Sequence, residues 1–114
     1  KRQMKYNLAE KLAIVKAIDE VIRVDGQVDP GEIELLKQLM SLLKFDRALV
    51  EEARKITAKE CMMILKGMPG NKKHALAVML NEMANADGNF NEKEYQLIFN
   101  ILMEAGIEVE DSED

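Results

Sequence analysis

The sequence predicts an all-α domain of about six helices, arranged as two antiparallel helical hairpins related by a pseudo-twofold internal repeat. Three observations predict it. Leu, Ala, Met, Glu and Lys dominate, aromatics are 4%, and there are only two Pro and six Gly, a composition that favours helix and leaves little length for loops. Apolar residues recur at three- and four-residue spacing between capping residues and glycine stops. Finally, one stretch occurs twice, as Asp19–Glu32 and Asn81–Glu94, at a constant offset of 62 residues. Glu20/Glu82, Asp25/Asp87, Gly26/Gly88 and Glu32/Glu94 are identical at matching positions, Val28 matches Phe90, and Asp29 matches Asn91.

The elements follow in order. Residues 1–6 form a lead-in. Asn7 and Glu10 make a capping box, in which the Asn side chain accepts from a free backbone N–H and the Glu reaches back. Leu8, Leu12, Val15, Ile18 and Ile22 then share one helical face, and Gly26 ends the helix because it enters the left-handed region without a Cβ penalty. The second helix opens on Asp29, with Pro30 at its first position and Glu32 closing the box. Ile33, Leu36, Leu39, Met40 and Leu43 form its buried stripe. Asp46 caps a short third helix that ends near Ile56, with Phe45 and Val50 as a hydrophobic staple. Thr57 and Glu60 box the fourth, which carries Met62, Ile64 and Leu65 inward.

Gly67-Met68-Pro69-Gly70 is the strongest break in the chain. Asn71 is the expected cap of the fifth helix, with Leu76, Met79, Leu80 and Met83 inward and Gly88 as its stop. Asn91 and Glu94 open the sixth, with Tyr95, Ile98, Ile101 and Leu102 inward and Gly106 at its end. Residues 1–106 are read as one helical domain, and 107–114 as an acidic, solvated tail.

Charge and composition exclude several function classes. A net charge of −5 argues against a nucleic-acid partner, which needs clustered Lys and Arg for phosphates. One Cys allows no internal disulfide and fits a reducing compartment. No apolar run reaches the ~18 residues of a membrane span, and Lys1-Arg2-Gln3 is not followed by an apolar leader segment. A cytoplasmic protein is the expectation.

The candidate chemistry sits in the repeat. Asp25 and Asp87 each fall in the last turn of a helix, where the dipole disfavours a carboxylate by roughly 0.3–1 kcal/mol. Two readings account for them: an Asp-Gly turn bonded to its own backbone amides, or oxygen ligation of a divalent cation, Ca2+ or Mg2+, weakly held. Glu32 and Glu94 are explained as capping-box residues, yet from that position they face back over the preceding turn and can add oxygens to the same cation. Asp25, Glu32, Asp87 and Glu94 are thus the metal candidates. Asp19, Glu20, Asn81 and Glu82 rank second, since Asp19 has an ordinary ion partner four residues on in Arg23. An EF-hand is not built here. With Gly26 set at the sixth loop position, the first and third positions hold Val21 and Arg23, and in the second copy Met83 and Asn85, instead of oxygen ligands.

No catalytic apparatus is visible. His74 is the single His and reads as a surface residue. Cys61, in the apolar run Cys61–Leu65, reads as a small buried hydrophobe. No serine-nucleophile motif or phosphate-binding glycine loop occurs. Six of eight Met lie in the second half, Met62, Met63, Met68, Met79, Met83 and Met103. Their spacing reads as core filler, with a Met-bearing binding surface as the other reading.

The two motifs Val24-Asp25-Gly26 with Val28 and Glu32, and Ala86-Asp87-Gly88 with Phe90 and Glu94, resemble those of the TerB-like family of all-helical domains. That family includes tellurite-resistance proteins and the N-terminal region of DjlA-type co-chaperones. The resemblance runs from about Leu8 to about Gly106. It departs at Val24, where the family usually has Ala before the Asp. It implies a compact helical bundle with an acidic patch for divalent cations. It also implies a non-enzymatic role in stress response or assembly with other proteins, often near a membrane. The alternative expectation is a protein–protein adaptor that uses an apolar, Met-bearing surface, with the Asp-Gly loops purely structural.

Overall fold

The computed structural model describes residues 5–24, 26, 28–86 and 91–107. Six helices account for most of them: α1 Leu8–Arg23, α2 Pro30–Leu43, α3 Arg47–Lys55, α4 Ala58–Lys66, α5 Gly70–Ala86 and α6 Glu92–Glu104. No strand occurs among the described residues. The Cα radius of gyration, 13.4 Å, is close to the ~13 Å expected of one folded domain of this length.

The helix α1 is the centre of the bundle, packed by α3, α4, α5 and α6. The expected single apolar stripe is therefore too narrow. Val15, Ile18 and Ile22 are buried, but so are Ala13, Ile14, Ala17 and Val21. An apolar circumference of this kind belongs to a core helix rather than a surface one, and Ala13 and Ala17 let neighbours approach closely. Leu8, assigned to the stripe from sequence, is instead exposed at the first turn.

The caps form largely as the sequence dictates. Reciprocal boxes close at Asn7/Glu10, Asp29/Glu32 and Thr57/Glu60, each cap worth about 1 kcal/mol. Asp46 and Asn91 accept from the backbone N–H groups of Leu49 and Glu94. Phe45 joins the core and Val50 packs at its edge. Asn71 does not cap α5. The helix begins at Gly70, two residues earlier than an Asn71 cap would start it, and the Pro69 carbonyl accepts from the N–H groups of Lys72 and Lys73 at 3.0 Å. Pro69 thus takes the cap position, and Asn71 lies exposed in the first turn.

Two helix ends use the left-handed conformation in a Schellman pattern. At Gly106 (φ 75°), the Ile107 N–H returns to Leu102 O at 2.8 Å. Ile107, assigned to the tail from sequence, is buried in the core as a result. At the end of α2 the same role falls to Lys44 (φ 58°), with the Phe45 N–H on Met40 O.

The helices α5 and α6 run antiparallel: Tyr95 Oη meets Asn85 Oδ1 at 3.4 Å near one end, and Lys73 Nζ lies by Gly106 at the other. The expected α1–α2 partnership is weaker. The α1 surface is already covered by four other helices, and α2 packs chiefly against α5. In α2, Leu39 and Leu43 are buried, while Ile33 is partly exposed. Tyr95, expected inward on α6, is also partly exposed.

Candidate functional site

The glutamates of the Asn7/Glu10, Asp29/Glu32 and Thr57/Glu60 boxes meet three different fates. Glu60 is exposed to water. Glu10 is buried, and Lys72 Nζ donates to its Oε1 at 2.7 Å. Glu32 is fully buried. Its Oε1 accepts the Asp29 N–H at 3.2 Å, which completes the box. Its Oε2 is sealed from solvent and takes no hydrogen bond from any described residue. A buried polar atom left without a partner costs about 1–3 kcal/mol, more when charged. The capping box therefore explains half of this carboxylate and leaves the other half unaccounted for.

Glu94, the repeat counterpart of Glu32, holds the same helical position and is likewise buried, at 1% exposure. Its N–H donates to Asn91 Oδ1 at 3.2 Å. Two matched carboxylates inside the bundle, each in the first turn of a helix, are the site's main feature. Asp25 and Asp87, with Gln27 and residues 88–90, lie outside the described residues.

The surroundings of these helix starts are crossed. A Cβ built on Gly31 would collide with the Ala86 carbonyl oxygen, so the start of α2 abuts the end of α5. In the other direction, Val24 at the end of α1 shares a cleft with Glu92 and Lys93 at the start of α6. These two junctions exchange under the 62-residue offset, which takes Gly31 to Lys93 and Val24 to Ala86. The first junction sets the N-terminus of α2, with its partial positive charge, against the carbonyl end of α5. Ala86 and Val24 directly precede Asp87 and Asp25 in sequence.

The secondary candidates are otherwise engaged or exposed. Arg54 of α3 forks onto Asp19, with Nε–Oδ2 at 3.0 Å and Nη2–Oδ1 at 2.9 Å, and Arg23 approaches at 3.6 Å. The Arg23 pairing was legible in sequence, but the stronger Arg54 bond, made across the bundle, was not. Glu20 pairs with Lys16 at 3.4 Å. Asn81 and Glu82 are exposed on α5, as is His74. Cys61 donates its thiol to Ala13 O at 3.4 Å, and burial pushes it up to about 11. Met68, Met79 and Met83 are core, whereas Met63 and Met103 are exposed. Among the described residues no three His, Cys, Asp or Glu side chains gather as a metal site, and no helix is long and apolar enough to cross a membrane.

No family model matches the chain, and no curated protein matches it. Among solved structures it is similar to the crystal structure of PG1108 from Porphyromonas gingivalis W83, a protein of unknown function. The TM-score is 0.76 at 21% identity, over 94% of this chain and 90% of that one. The six-helix fold is therefore shared with that protein over nearly its whole length.

Proposed function

We propose that this is a TerB-like, non-enzymatic assembly module whose acidic turns hold a divalent cation, Ca2+ or Mg2+, and so set the geometry of its contacts with other proteins. The observation that carries this reading is Glu32. A carboxylate oxygen sealed in the bundle, one peptide step from the α2–α5 junction, calls for a positive partner, and Lys72 supplies one only to Glu10. Hard cations take such oxygens at short range with carbonyls and water completing the shell. Glu32 and Glu94 would be the inner ligands, and Asp25 and Asp87 the outer ones, with the crossed junctions allowing a site shared between the two copies. The buried, high-pKa Cys61 thiol is a poor nucleophile. Stress response, including tellurite resistance, is the cellular setting that the resemblance suggests.

Titration calorimetry on metal-free protein tests the reading. Glu32→Gln preserves the capping box, since Gln also closes it, but removes the anionic ligand. Saturable Ca2+ or Mg2+ heat that disappears in this variant is the expected result. No heat with either cation, or identical heat in the variant, would sink it.

A further inference from the structure

The outer face of α6 carries a partly exposed apolar stripe. Tyr95, Phe99 and Met103 recur at four-residue spacing with exposures of 37%, 50% and 57%, while Ile98, Ile101 and Leu102 point into the core. Between α5 and α6 this stripe borders a cleft of about 380 Å³, floored by Ala77, Ile98 and Leu102 and walled by Tyr95 and Phe99. The chain has five aromatic side chains in all, and two of them stand on this one wall. A groove between antiparallel helices fits a third helix whose anchors recur every three or four residues. Its charge selects among occupants. Among the described residues Glu92 is the one charged side chain lining it, is exposed, and has no ion-pair partner. The chain carries −5 overall. A second copy, an anionic lipid surface or a nucleic acid would each bring more negative charge to this rim.

We infer that the α5–α6 cleft docks an amphipathic helix of a partner protein, with apolar anchors seated on Tyr95 and Phe99 and a Lys or Arg beside Glu92. The inference stands apart from cation binding, and its test is run in EDTA so that the two are separated. The probes are two fluorescein-labelled designed helical peptides with the same Leu stripe, one flanked by Lys and one by Glu, titrated with the full chain and read by anisotropy. The Lys-flanked peptide binds saturably and about tenfold tighter than its Glu-flanked twin. Phe99→Ser weakens it by about tenfold or more, as loss of an aromatic anchor does, and Glu92→Gln narrows the preference between the peptides. Circular dichroism confirms that the Phe99 variant is folded, as its half-exposed position leads one to expect. No saturable binding, equal binding of both peptides, or undiminished binding by Phe99→Ser overturns the inference. So does a wild-type dimer in sedimentation that Phe99→Ser converts to monomer, since the occupant would then be a second copy.

Discussion

Lys72 donates to Glu10 at 2.7 Å, and the two residues are 62 positions apart, the offset that relates the two Asp-Gly motifs in sequence. Each is the third residue of its helix, α1 and α5. The contact ties the first turn of α1 to the first turn of α5. The ammonium also stands 5.4 Å over the Tyr6 ring. Burial alone would raise the Glu10 carboxyl, but the hydrogen bonds from Lys72 and the Asn7 N–H hold it below its ordinary 4.5.

Removing Lys72 tests the pair. Lys72→Met leaves a buried carboxylate without its partner and should cost roughly 1–3 kcal/mol at pH 7. Because the folded-state pKa of Glu10 is depressed, its contribution is present above pH 4.5 and drains away as pH falls through the folded value. Urea melts between pH 7 and pH 3 should show the wild type losing stability on acidification more steeply than the variant. Parallel profiles would refute the assignment.

Gly31→Ala sets two effects against each other. Helix propensity alone favours Ala by about 1 kcal/mol. The added Cβ, however, meets the Ala86 carbonyl, which is backbone and cannot swing aside. Thermal denaturation should show a net loss of about 1–3 kcal/mol, in the range of overpacking. A gain would mean that the α2–α5 junction is looser than described.

Lys44→Gly should do the opposite. Lys44 holds φ 58°, a conformation that costs a non-glycine residue roughly 1–2 kcal/mol. Its carbonyl, which Lys11 Nζ approaches at 3.4 Å, is retained in the variant. A rise in Tm of a few degrees is expected, and a fall would show that the Lys44 side chain contributes more than its backbone costs.

Cys61 should be silent in the folded state. With its thiol buried and raised to about 11, little thiolate exists at pH 8. A thiol reagent should label it only as fast as the protein unfolds, with denaturant accelerating labelling by orders of magnitude. Prompt labelling in native buffer would contradict the packing of α4 on α1.

The helices were legible because their signals are local. Asn7, Asp29, Asp46, Thr57 and Asn91 each announce a start within a few residues of sequence, and each caps in the structure. What escaped depends on tertiary surroundings. Pro69 takes the cap that Asn71 was expected to supply, and Lys44 ends α2 without a glycine to signal it. The breadth of apolar surface on α1 became meaningful only once four helices were seen to cover it. The candidate site divides in the same way. Glu32 and Glu94 were identifiable from the repeat, but not their burial, since the same box at Glu60 stays in water. The Glu10–Lys72 pair carries the repeat's own spacing and could have been sought there. Exposure of Tyr95 could not, because periodicity does not say how wide a buried face is.

That Glu32 and Glu94 hold a cation is a proposal, and a melt decides it. The direct measurement is a thermal melt in EDTA and in excess Ca2+ or Mg2+, on the wild type and on Glu32→Gln/Glu94→Gln. A cation at about a hundred times its Kd should stabilise the wild type by roughly 2.7 kcal/mol, a shift of several degrees, and leave the double variant unmoved. A wild-type melt that does not shift with either cation, or a shift that persists in the variant, would contradict the claim.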